Sequence, residues 1–294
     1  MINLLRGVAL ALVLATGVEA QAPNQPVVFL PGFMGSDLID EHGTIVCCYP
    51  ENLGPGLQRM ELPENPLETT YRPYGVIESY SVLGPFKVGA YSAISDLFSE
   101  LGFEKDRDLF YFPYDWRLSN FRNAERLHEF VQSQRALRDQ PFRIVGHSMG
   151  GVIARVFVHE YGDQHRVTSV VTMATPFLGS QHALKSLLQG YGFVVNLING
   201  GDELPRKVMA SFESTYEMLP AYDKCCFVTT PGTNGREAVD VLERSTWVDL
   251  GWLKSPLLPS KELVASRLES ADRIRSIMKT PPPVGTTLYK IVGS

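Results

Sequence analysis

An α/β fold, with a mostly parallel central sheet and helices on both of its faces, is predicted by two features of this 294-residue chain. Short apolar runs of strand length alternate with segments of helical periodicity between residues 27 and 173. That alternation is the one of a parallel sheet covered by helices on both faces. Glycine and proline, 25 and 20 residues, punctuate the joints. The composition, 44% hydrophobic and 20% charged, is that of a globular domain and excludes a disordered or fibrous chain. A formal charge of −5 without any basic block argues against a nucleic-acid partner.

Residues 1–20 stand apart. Met1–Arg6 carries one positive side chain, Gly7–Gly17 is an almost continuous apolar run, and Val18-Glu19-Ala20 offers small residues at both cleavage-site positions. This pattern predicts a secretory signal peptide. The run is too short to span a bilayer, and no later stretch approaches the ~18 residues a spanning helix needs. A single mature domain, 21–294, is therefore expected, soluble or peripheral, in a secreted or periplasmic, oxidising setting.

Val27–Leu30 predicts a buried strand entering the loop Pro31-Gly32. Residues 32–88 show no long periodicity. Ile94, Leu97, Phe98 and Leu101 recur at helical spacing, with Gly102 as a stop. Leu109–Phe112 predicts a second strand, ended by Pro113. Leu127, Phe130, Val131 and Leu137 predict a helix capped near Ser119 or Asn120. Phe142–Val145 is a third strand, and Val152, Ile153, Val156 and Phe157 give the next helix an apolar face before Gly162. Val167–Met173 is a fourth strand. Residues 174–285 break the rhythm and are expected as a cap inserted over the sheet, after which Thr286–Val292 resumes as a strand.

The four cysteines form two adjacent pairs, Cys47-Cys48 and Cys225-Cys226. Neighbouring Cα atoms lie ~3.8 Å apart, closer than a disulfide prefers. Bridging between the pairs is the expectation, closing a loop of roughly 180 residues for about 4–5 kcal/mol. Buried free thiols are the alternative. No Cys or His spacing suggests a metal, and no cofactor is expected.

Gly146-His147-Ser148-Met149-Gly150 fits G-x-S-x-G. The pattern alone is weak, and its place between a buried strand and an amphipathic helix gives it weight. That context makes Ser148 the candidate nucleophile, a capping serine in a glycine-rich turn being the bland alternative. A serine nucleophile needs main-chain donors for the oxyanion, each worth about 3–4 kcal/mol in the transition state. Met149 N–H, opening the helix, is one candidate. Phe33 N–H, in Pro31-Gly32-Phe33-Met34-Gly35 after the first strand, is the other.

Pro31-Gly32-Phe33-Met34-Gly35-Ser36, Pro113-Tyr114-Asp115-Trp116-Arg117, Gly146-His147-Ser148-Met149-Gly150-Gly151 and Ala174-Thr175-Pro176-Phe177-Leu178-Gly179-Ser180 occur in this order. In this the chain resembles the lecithin:cholesterol acyltransferase family from about Pro26 to Ser294, with Tyr216-Glu217-Met218-Leu219-Pro220 as a further likeness. The resemblance implies an α/β-hydrolase core, lipid ester substrates at a membrane or lipoprotein surface, and phospholipase A-type cleavage with acyl transfer to an alcohol. It also matches Phe33 and Met149 to the family's oxyanion donors. Residues 44–90 fall where the family carries a membrane-contacting loop, to which Tyr49, Leu53, Leu57, Met60, Leu62 and Leu67 would give an apolar patch. The family closes that loop with a local disulfide. Here Cys48 fits its first half, but no cysteine occurs between 49 and 224.

Asp115 and Arg117 are expected to form a structural ion pair. His147 is expected to point away from Ser148, His159 and His165 to lie at the surface, and His182 on the site's side of the sheet. In this fold the order is Ser, Asp, His, the acid and base following the last strands. No histidine follows His182, so the triad Asp and His are expected not to be present in this chain, nor the sheet's terminal strand. A C-terminal truncation is the preferred reading, because Ser294 falls inside a family motif; a non-catalytic, lipid-binding relative is the other. A chain lacking the base is expected to be inactive, the loss costing on the order of 10⁶ in kcat. The function expected of the full-length protein is a serine-dependent lipid acyltransferase or phospholipase. A secreted lipase or carboxylesterase without acyl transfer is its neighbour.

Overall fold

The computed structural model describes residues 25–46, 54, 56–83, 86–89, 91–229 and 235–292. The leader-like segment 1–20, Cys47, Cys48, Tyr49 and Leu53 lie outside them. In chain order, β1 (Val27–Leu30) is followed by β2 (Ser36–Ile39), β3 (Arg72–Val76), β4 (Ser79–Leu83), β5 (Phe86–Gly89) and α1 (Ser92–Glu100). Then come β6 (Leu109–Tyr111), α2 (Asn120–Ser133), α3 (Arg135–Arg138), β7 (Phe142–His147), α4 (Met149–Tyr161) and β8 (Val167–Met173). The cap segment holds α5 (Gln181–Gln189), α6 (Phe193–Ile198), α7 (Glu203–Ser211), α8 (Glu213–Glu217), β9 (Cys226–Thr229), β10 (Arg236–Val239) and α9 (Arg244–Asp249). The long helix α10 (Lys261–Lys279) and β11 (Thr287–Ile291) close the described chain.

Five strands form one sheet in the order β11-β8-β7-β1-β6, every pairing parallel. Successive side chains of a strand face opposite ways, and the core divides accordingly. Val28, Leu30 and Ile144 point to one face, under α2, α4 and α10; Val27, Phe29 and Val145 point to the other, under α1. Val152, Ile153, Val156 and Phe157 are all buried, each worth about 1.5–3 kcal/mol. The helix ends follow the sequence signals. Ser119 Oγ accepts from Phe121 N (3.2 Å) at the start of α2, and Gly102 (φ +82°) takes the left-handed conformation after α1.

Two expectations change. Residues 174–285 are not one insertion. Ile274, Ile277 and Met278 of α10 belong to the main core, so α10 is the crossover helix from β8 to β11, while Val264, Leu268 and Ala271 face the cap's own core around Tyr216 and Trp247. Residues 32–88, which show no long periodicity, hold β2, β3 and β4, and the antiparallel pairs are β2–β3 and β4–β5, the last strand ending at Gly89. Leu57, Met60 and Leu62, expected in an exposed patch, are buried, because two 3₁₀ turns fold this segment back onto the core; among the described residues of that patch, Leu67 alone is exposed.

Glu217, at the end of α8, ties cap to body. Its buried carboxylate accepts from Ser119 Oγ (2.5 Å), Asn120 N (2.6 Å), Asn120 Nδ2 (2.8 Å) and Ser270 Oγ (2.6 Å), and burial raises its pKa. The Cys225 and Cys226 sulfurs face each other at 2.8 Å as thiols. Among the described residues no helix is long and apolar enough to cross a membrane.

Candidate active site

In a doubly wound sheet the crevice for a ligand opens beyond the carboxyl ends of the strands, where the strand order reverses. Here the first parallel strand, β1, lies between the second, β6, and the third, β7, so the reversal falls between β1 and β7. The loop after β1 carries Phe33 and the turn after β7 carries Ser148.

Ser148 has φ 50° and ψ −121°, a strained backbone for a side-chain-bearing residue. It stands at the N-cap of α4, yet its side chain makes no capping bond. The turn needs its glycines. A Cβ on Gly146 would lie 2.6 Å from Gly151 N, and one on Gly150 would strike the Leu30 and Pro31 carbonyls. Ser148 N donates to Met173 O at the end of β8 (2.8 Å), fixing the turn to the neighbouring strand. Met149, the first residue of α4, has no intrahelical acceptor for its N–H, and the helix dipole adds positive potential there.

The loop after β1 is held against this turn. Gly35 N donates to Gly32 O (3.0 Å), and Met34 takes φ 56°. A Cβ on Gly32 would lie 2.9 Å from His147 Nδ1 and 3.1 Å from Ser148 Cβ, so only glycine permits the approach. Behind it, Tyr114 Oη donates to Pro31 O (2.7 Å) and Trp116 Nε1 to Ser36 O (3.1 Å). Arg117 meets Asp115 through two bonds, Nε to Oδ1 (2.9 Å) and Nη2 to Oδ2 (2.7 Å), with both side chains buried. Arg117 also donates to Met60 O (3.2 Å) and Thr69 Oγ1 (2.9 Å). The Tyr-Asp-Trp-Arg stretch is thus the structural network expected, bracing the loop against residues 57–69.

Phe33 and Ser148 line one cavity of about 370 Å³, largely apolar, roofed by α5, α7, α8 and residues 190–192. Met209, Met218 and Ala183 supply apolar lining; His182 and Lys185 stand at its polar side. Thr215 Oγ1 is buried in this lining with no partner among the described residues. Beside the cavity, α6 exposes Phe193 (80%), Val194 (65%), Leu197 (67%) and Ile198 (56%).

Of the candidate residues, the structure brings Ser148, Met149 and Phe33 together around one crevice. His147 Nδ1 is bonded to Tyr91 Oη (2.8 Å), and burial lowers its pKa. His182 lines the cavity and His159 is exposed. His165 is not simply a surface residue. Its Nε2 meets His128 Nδ1 at 2.8 Å, its ring stacks on Phe157, and burial, with His128 adding to it, lowers its pKa to about 4. Sequence reasoning missed Tyr91, whose position before a helix carries no signal for the contact its hydroxyl makes. Among the described residues no three His, Cys, Asp or Glu side chains converge as a metal site.

Parallel order, an elbow after the third strand and an amide-bearing loop after the first together define an α/β-hydrolase fold. A solved chain of the Tle4–Tli4 complex has a similar fold, with a TM-score of 0.56 and 14% identity over 90% of this chain and 74% of that one. Residues 43–249, well over half of the chain, match the family model of lecithin:cholesterol acyltransferase. The chain belongs to that family. It is 34% identical over 100 residues to lecithin-cholesterol acyltransferase-like 4 of Arabidopsis thaliana, covering 32% of this chain and 18% of that protein. It is 30% identical over 131 residues to a phospholipid–sterol O-acyltransferase of the same plant, covering 38% of this chain and 20% of that protein. These matches span about a fifth of either relative's length.

Proposed function

We propose that this chain carries the nucleophile and oxyanion hole of a serine-dependent lipid acyltransferase or phospholipase A-type enzyme. Ser148 Oγ attacks the carbonyl carbon of a fatty acyl ester while its proton passes to a base. The carbonyl oxygen becomes an oxyanion facing the Phe33 and Met149 amides. Collapse of the intermediate expels the lipid alcohol, which takes the proton, and leaves the acyl chain on Ser148. Water or a second alcohol, deprotonated in turn, then accepts the chain. The observation that carries this reading is the strained, uncapped Ser148 opening onto an apolar cavity at the reversal of strand order, with a glycine loop bearing a second amide against it. Family membership supports the lipid ester as substrate.

The base must come within hydrogen-bond reach of Ser148. His147 is committed to Tyr91, whereas His182 shares the cavity. The exposed apolar side chains of α6, beside the cavity, support docking on a lipid surface. The leader-like first twenty residues support action outside the cytoplasm.

A fluorophosphonate probe tests the reading. Covalent labelling of the full gene product, abolished by Ser148→Ala, is the expected result. Labelling that survives Ser148→Ala, or no labelling of the wild type, overturns it. A His182→Ala variant labelled at the wild-type rate assigns the base to another residue.

A further inference from the structure

We propose that Tyr91 is a positioning residue for the oxyanion hole, its hydroxyl joining the loop that presents the Phe33 amide to the strand end that presents Ser148. The inference rests on the mechanism above for its kinetic meaning, and on the hydrogen bonds alone for its geometry.

Tyr91 Oη accepts from Gly32 N at 2.7 Å and lies 2.8 Å from His147 Nδ1. A hydroxyl has one proton to give. With His147 neutral, that proton goes to Nδ1, and the ring keeps its own on Nε2. Gly32 immediately precedes the proposed donor Phe33, and His147 immediately precedes the proposed nucleophile Ser148. One phenolic oxygen therefore spans the two halves of the crevice, one residue back from each reacting position.

The surroundings hold this oxygen in place. Tyr91 is 8% exposed, and its ring packs edge-on against Phe29 (5.3 Å between centroids) and His147 (5.6 Å). It stands at the N-cap of α1 but makes no side-chain cap, so its hydroxyl serves the loop and not its own helix. The peptide unit joining Pro31 to Gly32 is gripped at both ends, its N–H by Tyr91 and its carbonyl by Tyr114 Oη (2.7 Å). The next unit, which carries Phe33 N–H, is fixed at its oxygen by Gly35 N (3.0 Å). Glycines make room for this grip, since a Cβ on Gly35 would lie 3.0 Å from Tyr91 Cε2 and one on Gly32 3.3 Å from Tyr91 Oη.

Removing the hydroxyl leaves the Gly32 N–H without its acceptor and the loop free to turn about the Tyr114 contact. A main-chain donor displaced by about 1 Å loses most of its effect on a developing oxyanion, a loss on the order of 10² in rate. Tyr91 touches neither substrate nor oxyanion, so binding itself is not expected to change.

The experiment compares Tyr91→Phe with Tyr111→Phe in the full chain. Tyr111 lies on the same face of the sheet and spends its hydroxyl on Ser95 Oγ (2.9 Å), away from the loop. With a fluorophosphonate, whose phosphoryl oxygen enters the oxyanion position, Tyr91→Phe is expected to lower the maximal labelling rate about 10- to 100-fold and leave the half-saturating probe concentration within about twofold. Tyr111→Phe is expected to leave both unchanged. Equal labelling rates for Tyr91→Phe and wild type overturn the inference, as does an equal loss in both variants. Hydrogen exchange at the Gly32 amide supplies a readout without catalysis: about tenfold faster exchange in Tyr91→Phe alone supports the inference, and unchanged exchange overturns it. If the wild type is not labelled at all, the proposed mechanism fails and the exchange result still decides the geometry.

Discussion

The floor and the roof of the crevice are built on opposite terms. The floor, made of the loop after β1 and the turn after β7, is locked by backbone packing. Gly150 sits against the Leu30 and Pro31 carbonyls, and Tyr114, Trp116 and Arg117 brace the loop from behind. The roof between residues 190 and 201 is the reverse. Four glycines with positive φ, at 190, 192, 200 and 201, bracket a six-residue helix whose only buried residue is Val195. Placement of reacting atoms tolerates little movement, so it is built into the sheet. The proposed contact with a lipid surface needs adaptable apolar area, and α6 offers it on a segment with few anchors.

The largest expected contrast comes from adding one methyl group to each region. Gly150→Ala meets main-chain carbonyls that cannot step aside, and a loss of about 3 kcal/mol is expected together with loss of probe labelling. Gly192→Ala meets no atom within 4 Å but bears a backbone, φ 99° and ψ 165°, that essentially only glycine adopts, about 1–3 kcal/mol, with labelling retained. Denaturant midpoints and labelling rates check both, and an equal loss of labelling would break the comparison.

An intermediate effect is expected from acid. His165 belongs to the body, and its pKa falls from 6.5 to about 4 in the folded chain. The unfolded chain takes up this proton first, so stability is full above pH 6.5 and declines as pH falls towards about 4. Melting temperature against pH should show this decline in the wild type and a flatter curve in His165→Gln.

The smallest effect on stability is expected in the roof. Phe193→Ser with Leu197→Ser should change folding by no more than about 0.5 kcal/mol. Binding to phospholipid vesicles should nevertheless weaken about tenfold or more, since each side chain forfeits on the order of 1.5–3 kcal/mol of burial. A folding loss well above this would show that α6 is an anchored part of the cap, and would erase the contrast.

The floor was largely legible in the sequence because its signals are local. Val27–Leu30 is apolar throughout, Val167–Met173 is rich in valine, α4 is periodic, and the glycines around Ser148 mark the turn. The roof was not legible. Phe193-Val194-Val195 is uniformly apolar, and only tertiary structure leaves two of the three exposed. Leu57, Met60 and Leu62 mislead in the opposite sense, since nothing local distinguishes an apolar side chain folded under a turn from one offered to lipid. Tyr91 and Glu217 act through partners dozens of residues away, beyond the reach of any spacing rule.

Glu217 divides the roof itself. A carboxylate answering the start of α2 on one side and α10 on another works as a rivet, and rivets decide where a plate bends. The part of the cap around α8 must travel with the sheet. Any opening of the crevice therefore falls to the short glycine-bracketed flap upstream of it, and swinging the whole cap would first require stripping four donors from a sunken negative charge.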